Sequence, residues 1–536
     1  MRIARIGTTL VRLALVAGGV GALGPAVARA GGFDIPDQGT EALGRGGAFV
    51  AKADSPLAMY YNVAGMAQQR GTRLLLDVNL IYHNMEFTRA GVYPGDPNDP
   101  KTPWAGKPYP TVSNSTPFGY QPFLGVTTDF GFFEKWSFGI GVFSPPGTSG
   151  RSYGVRRDIA VKDDKGVEKT AARYEVELPN KGGSSDWSAP GAAARAPSPT
   201  RFDTGDSSTL FIMPSLALAY QPWRFISFGA LVSWVVGQAE ITKASVYPGG
   251  KSTCGPMGDL PECDRYSTIR ANLGTVGFNF STLAHPLPWL DVGLTYRPQI
   301  NIDAHGTATP LPGWFDGSQL PPFPVTLSLK LPHIIRWGVR VKSHYLDGTE
   351  RADLEIGGTW ENWSAQDYTR LRSYDFLVGK PIDPNDPNSK GRLFIDTPGQ
   401  FKDTFSIRLG GAYNHRLSDL SRLIFRAGAY FDSATTDYKW TSVSSYGMAK
   451  YGVTAGLGVK VKGFTFDLAY AAVFMPARNV TDSGFRAPSS TNGTDWEPTD
   501  ASINPNNGFY QGQIHMVSLG FTVNFSEYGR TSLFPN

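Results

Sequence analysis

Residues 402–434 read KDTFSIRLGGAYNHRLSDLSRLIFRAGAYFDSA. In the first half, Phe405, Ile407, Leu409 and Tyr413 fall on one face, with Thr404, Ser406, Arg408, Gly410 and Ala412 on the other. A period of two is that of a β-strand with unlike faces. The short stretch 417–419 then leaves room only for a tight turn before the next run begins. Large apolar side chains on one face and small or polar ones on the other suit a strand with lipid outside and a lumen inside.

The same pattern extends in both directions. In 447–461, Tyr451, Val453, Leu457, Val459 and Val461 oppose Gly452, Thr454, Gly456, Gly458 and Lys460. In 463–476, Phe464, Phe466, Leu468, Tyr470 and Phe474 point outward, with Thr465 and Asp467 inward. Fourteen such segments follow residue 72: 73–88, 119–131, 135–145, 208–221, 224–240, 267–283, 289–305, 322–343, 350–364, 402–416, 420–434, 447–461, 463–476 and 511–525. Every second connection is tight (131–135, 221–224, 284–288, 344–349, 417–419, 462–463). The alternate ones, among them 89–118, 146–207 and 365–401, are long and rich in Gly, Pro, Asp and Ser. An even strand number with turns at one end and loops at the other is the layout of an all-β, transmembrane antiparallel β-barrel. A soluble sandwich would have to place this many strands in sheets that curl or split.

Composition agrees. The mean hydropathy of −0.22 fits strands that are apolar on one face only. After the first thirty residues no run reaches the roughly 20 apolar residues of a spanning helix. A net charge of +4 with no basic tract excludes nucleic acid as the expected partner. Residues 1–30, with Arg2, Arg5 and Arg12 before the apolar stretch 13–23 and Ala28-Arg29-Ala30 before Gly31, fit a cleavable signal peptide and hence export to a Gram-negative outer membrane. Four parts follow: signal peptide 1–30, plug 31–72, barrel 73–525 and tail 526–536.

Parity also points charges into the lumen: Asp291, Arg297, Arg408, Arg426, Asp432 and Asp467. Most of these are expected to pair with one another. Arg408 and Arg426 are the candidates to meet an anionic ligand, because a guanidinium fork matches a carboxylate. Aromatic residues recur near strand ends (Tyr220 and Trp223, Trp289 and Tyr296, Tyr430 and Phe431, Tyr470 and Phe474), as interfacial girdles do. The third segment ends in Ser144-Pro145-Pro146-Gly147, which either stops the strand or breaks the wall beside the longest loop. Cys254 and Cys263 share one loop and are expected to form a disulfide there. That loop holds no further Cys or His for a zinc site, and neither metal nor cofactor is expected. Residues 31–72 lack the strand pattern and are rich in small residues, as a plug folded inside the barrel would be.

In order and spacing, these stretches resemble the FadL/TodX family of outer-membrane transporters for long-chain fatty acids and aromatic hydrocarbons. The resemblance rests on Leu43-Gly44-Arg45-Gly46-Gly47-Ala48, on Tyr60-Tyr61-Asn62-Val63-Ala64-Gly65-Met66, on 331–333 through 360–364, on 403–413 with 426–432, and on the closing strand 515–525. It implies a fourteen-stranded barrel closed by an N-terminal hatch. A fatty acid or hydrocarbon would land on outer loops and enter a pocket near Phe33. It would leave sideways where the third strand kinks, at Ser144, Pro145 and Pro146. Asn62, Val63, Ala64 and Gly65 match the hatch motif, with Val63 in the place of its proline. Two further departures are Gly357 where the family has an acidic residue, and the eleven residues after Phe525.

The alternatives are a general porin, disfavoured by the segment before strand one, an adhesin built on the long loops, and a lipid hydrolase. The hydrolase would need a Ser–His pair. His515 has lipid-facing parity and there is no Gly-x-Ser-x-Gly elbow, so no catalytic residue is assigned. The continuous apolar outer face needs no partner but lipid, which suits a monomer.

Overall fold

The computed structural model describes residues 37–96, 98, 102–144, 150–162, 167–177, 195–246, 264–312, 321–366, 368–376, 391–398, 400–444, 447–485 and 504–526. Fourteen antiparallel strands close on themselves. Strands one to six are Thr72–Arg89, Phe118–Thr128, Trp136–Phe143, Asp206–Trp223, Ile226–Val246 and Asp264–Leu287. The seventh to tenth each come in two pieces: Leu290–Arg297 with Ile300–Pro310, Phe323–Leu331 with Ile334–His344, Glu350–Glu361 with Tyr368–Phe376, and Gly391–Pro398 with Thr404–Ser418. Ser421–Asp432, Lys450–Val461, Phe464–Val480 and Gly508–Asn524 complete the wall. The last strand pairs with the first from Arg73↔Asn524 to Arg89↔Gly508, so no edge is left between them.

Alternation survives in the tenth strand as read from sequence. Phe405, Ile407 and Leu409 are about half exposed to the lipid side, whereas Ser406, Arg408 and Ala412 are buried inside. Aromatics ring the tight-turn end, where Trp136 stacks on Tyr220 at 4.2 Å and Trp223 on Phe225. Tyr430 is a correction to the girdle: it faces inward, buried, beneath the Arg408 guanidinium at 4.7 Å.

Three features depart from the fourteen straight segments. Tyr368–Phe376 and Gly391–Pro398 are paired strands inside the stretch read as loop 365–401. A three-stranded sheet of Val155–Lys162, Glu168–Glu177 and Arg195–Pro197 also stands in the longest loop. Pro298 and Pro332, moreover, break the seventh and eighth strands, and each break reverses the faces. In the seventh, Asp291 and Thr295 are buried before the break, and Ile300, Ile302 and Ala304 after it. Proline cannot donate to the ladder, and a one-residue slip swaps every following side chain to the other face.

The hatch, residues 37–71, lies inside. It has two one-turn helices, Thr40–Leu43 and Ala58–Tyr61, and a 3₁₀ segment, Val63–Gln68. Its apolar side packs with Phe123, Phe143, Met213, Leu231, Leu273, Ile300, Ile302 and Leu327 from strands two to eight in one buried cluster. The other side of the lumen, toward strands nine to thirteen, is charged. Around the hatch the lumen therefore has an apolar half and an ionic half; toward the long loops a second buried apolar cluster, with Ile81, Met85, Phe87, Val473, Met475 and Tyr510, lines strands one, thirteen and fourteen.

Candidate functional site

On the ionic half the hatch is clamped to the wall. Asp37 accepts from Arg408 Nη1 at 2.8 Å, and Arg408 Nη2 reaches Asp432 at 3.2 Å. Arg45 donates to both carboxylate oxygens of Asp353, at 2.6 and 3.1 Å, and Arg340 Nε meets the same group at 2.6 Å. Glu355 accepts the backbone N–H groups of Ala51 and Lys52 at 2.9 and 3.0 Å. Arg426 pairs with Asp467 at 2.6 Å and stands 3.6 Å from Glu41 of the hatch. Asp77 of the first strand accepts from the Thr40 hydroxyl at 2.5 Å. Removing one member of such a buried pair costs about 3–5 kcal/mol, because the other is left charged and unsatisfied.

Close approach of hatch and wall depends on glycine. A Cβ at Gly410 would lie 1.8 Å from the Arg45 carbonyl oxygen, so only glycine lets the hatch backbone rest on the tenth strand. The hatch motif works through Asn62. Its side chain accepts from Ala64 N at 3.2 Å and donates to the carbonyls of Val50, at 2.8 Å, and Thr282, at 3.1 Å. Asn62 thereby caps the 3₁₀ turn that Val63 begins and ties it to the sixth strand. Ala64 N also reaches Ser281 Oγ at 2.9 Å, and Ser227 Oγ donates to Ala64 O at 2.9 Å. A Cβ on Gly65 would meet Ala53 O at 2.1 Å.

The third strand stops early. It pairs as far as Phe123↔Phe143↔Met213 and has eight residues. Among the described residues none pairs with Phe118–Pro122 of strand two or Ser208–Ile212 of strand four on the sides that face this strand. Above that interval, Arg151–Ser152 pairs with Asp206–Ser207, and Ser115 N donates to Ser152 O at 2.8 Å. Below it, Ser144 is buried and its carbonyl accepts the Gln38 side-chain amide at 2.7 Å. The hatch thus touches the wall where the third strand ends. Pro145 and Pro146, Phe33, Cys254 and Cys263, and the signal and tail segments lie outside the described residues, except for Ser526 of the tail.

Outside the membrane, the loops lock together. Asp203 receives Val443 N at 2.8 Å, Ser444 Oγ at 2.6 Å and Asn506 Nδ2 at 3.3 Å, joining three loops. Tyr93, Trp104 and Tyr109 of the first loop pack with Ala196, and Arg173 lies over Trp104 at 4.9 Å.

Sequence parity found Arg408 and Arg426 on the lumen face. It missed Arg45, Asp37 and Glu41, whose segment carries no strand period, and Asp353, Glu355 and Arg336, although alternation places all three inward. A closed barrel of this size with a plug ion-paired into its lumen defines an outer-membrane transport protein rather than an enzyme. The family model described as outer membrane protein transport protein (OMPP1/FadL/TodX) matches residues 193–525, and the chain belongs to that family. Its fold is similar to that of a Pseudomonas aeruginosa FadL homologue (16% identity, TM-score 0.61, covering 92% of this chain and 100% of that one). It is also similar to the Pseudomonas putida toluene transporter TodX (14%, TM-score 0.57, 92% and 99%). The Ralstonia pickettii toluene transporter TbuX is a third such structure (13%, TM-score 0.54, 92% and 99%). No curated protein sequence matched.

Proposed function

We propose that this protein carries hydrophobic compounds, long-chain fatty acids or aromatic hydrocarbons, passively across the outer membrane and releases them sideways through the wall beside the third strand. The observation that carries this reading is the eight-residue third strand, whose end leaves facing intervals of strands two and four unpaired among the described residues. The hatch reaches this place through Gln38 and Ser144, so a ligand that displaces the hatch acts on the wall beside the interval. Each CH₂ removed from water is worth about 0.8 kcal/mol, so an apolar solute gains nothing from an aqueous pore. The apolar half of the lumen offers it Met59, Phe143, Met213 and Leu231 instead. Ligand binding then shifts the hatch between conformers and needs no energy source beyond the gradient. In this reading Arg408 and Arg426 hold the hatch, since each already carries a carboxylate.

Uptake of labelled oleate and labelled toluene into cells lacking their own hydrophobic-compound transporter tests this. Uptake of either above background, dependent on the assembled barrel, supports the reading. Uptake of neither by assembled barrels overturns it.

A further inference from the structure

Four hydrogen-bond donors converge on one carboxylate outside the membrane. Asp203 accepts from Val443 N at 2.8 Å, Ser444 Oγ at 2.6 Å, Ser442 Oγ at 3.3 Å and Asn506 Nδ2 at 3.3 Å. An ionised carboxylate has about four lone-pair sites, so these donors satisfy it. All four are uncharged, unlike the arginines that hold the hatch. The partners come from distant parts of the mouth. Asp203 precedes strand four, 442–444 lies between strands eleven and twelve, and Asn506 precedes strand fourteen. Strands four and eleven are seven apart in a ring of fourteen, so these bonds cross the mouth instead of joining neighbours.

Both sides of this junction are anchored to the wall. Asp203 N and Thr204 N each donate to Thr200 O at 2.9 Å, closing a turn. The neighbouring Arg201 reaches Asp264 of strand six at 2.7 Å, and its carbonyl accepts from Ala244 N of strand five at 2.8 Å. Opposite, Arg478 of strand thirteen donates to Thr441 Oγ1 at 2.7 Å and to Gly447 O at 3.2 Å. Tyr510 Oη of strand fourteen donates to Asn506 O at 2.8 Å. Two fixed sides thus meet at a single carboxylate. Val443 continues inward from it: with Tyr153 and Met448 of the loops it packs against Met85, Met475 and Tyr510 of the wall, each 5% exposed or less. Water from outside does not reach this apolar cluster.

We infer that Asp203 is the latch of an outer gate, a lid of three loops that parts before a solute enters the barrel. Parting asks one carboxylate to exchange neutral donors for water, whereas release of the hatch must separate buried ion pairs. The lid therefore opens more readily than the hatch, and the two barriers act in series, the outer before the inner. Val443 leaves with its own N–H, so opening also uncovers the apolar cluster to an arriving apolar solute. This rests on the transport reading above and adds a gated entrance to it. The latch itself does not depend on what is carried.

The test follows a cysteine placed under the lid. Met85→Cys, in a chain carrying Cys254→Ser and Cys263→Ser, is labelled in intact cells with a membrane-impermeant, sulfonated maleimide. With Asp203 in place it should react far more slowly than Val155→Cys, a half-exposed loop position. Asp203→Ala should speed labelling on the order of 10- to 100-fold, the worth of charge-assisted hydrogen bonds, in barrels shown to be assembled by heat-dependent gel mobility. Asn506→Ala, which removes one donor, should speed it less. A second arm locks the lid with Asp203→Cys and Ser444→Cys in the same serine background, without Met85→Cys. Uptake of labelled oleate or toluene, whichever the protein carries, should stop when this bridge is oxidised and return with reductant. Should Asp203→Ala fail to assemble, Asn506→Ala and the bridged barrel decide. Labelling as fast as that of Val155→Cys with Asp203 in place, labelling that ignores both alanine variants, or full uptake through a bridged barrel overturns the latch. If the unmodified protein takes up neither compound, the transport reading falls, and labelling of Met85→Cys decides the latch separately.

Discussion

Arg45 and Asp353 meet through two parallel N–H···O bonds, 2.6 and 3.1 Å long, with both side chains fully buried between the hatch and the ninth strand. Arg340 shares the same carboxylate, so Asp353 stands between two arginines. Asp353→Ala is therefore expected to loosen the hatch by about 3–5 kcal/mol. Arg45→Met should do less, because Arg340 still satisfies Asp353. Ion conductance of the barrel in planar bilayers reports both: the alanine variant should open more often than the methionine variant. Equal, wild-type-like conductance would show that this pair does not hold the hatch.

Gly65→Ala asks whether the hatch motif is set by sterics. The added Cβ would stand 2.1 Å from Ala53 O and 2.5 Å from Ala53 Cβ, both rigid atoms of the hatch itself. Overpacking of this kind costs about 1–3 kcal/mol. Limited proteolysis of assembled barrels should cleave the hatch of the variant faster, with the strands untouched. Unchanged cleavage would mean the two segments can part without loss.

Much of this architecture was open to reading because each strand faces two solvents. Lipid outside and lumen inside impose a period of two, which Phe405, Ile407 and Leu409 display against Ser406 and Arg408. The breaks at Pro298 and Pro332 were not legible, since apolar residues continue on either side of each. A single parity carried through 289–305 puts Ile300 and Ile302 in the lipid, whereas both face the lumen at 3% exposure. That reversal makes the apolar half of the lumen around the hatch, so the sequence showed a barrel but not the two sides its hatch meets. The hatch contacts were hidden for another reason. Arg45 and Asp353 are 308 residues apart, and no local period connects them.

Acid should weaken the hatch through Asp54. Burial pushes its carboxyl up, but Lys52 and Arg340, with Arg73 behind them, pull it further down, to about 2. Its ordinary value is 3.8. A carboxylate whose folded value is depressed adds stability that is complete above the ordinary value and is lost as pH falls toward the folded one. Hatch opening, read as conductance, should therefore rise between about pH 4 and pH 2. Asp54→Asn should flatten that part of the profile, and a variant with the wild-type profile would assign the acid response elsewhere.

The loop carrying Cys254 and Cys263 is expected to be bridged. Unfolded protein should take up an alkylating reagent at these two positions only after reduction, read by intact mass. Alkylation without reductant would show free thiols.

Val63→Pro should be tolerated, although Val63 is fully buried. Asn62 has φ −159° and ψ 97°, the extended region that a following proline demands. Val63 is the first residue of the 3₁₀ turn, where a fixed φ fits and a missing N–H costs no intrahelical bond. Proline there removes freedom from the unfolded chain, which is worth roughly 0.4–1 kcal/mol when the native geometry already suits it. The Asn62 side chain supplies the rigidity that a proline would otherwise give, so the gain should grow in an Asn62→Ala background. Hatch cleavage rates for the four combinations of these two changes decide the matter. If Val63→Pro accelerates cleavage in both backgrounds, the buried contacts of the valine side chain, not the turn, set the stability of the motif.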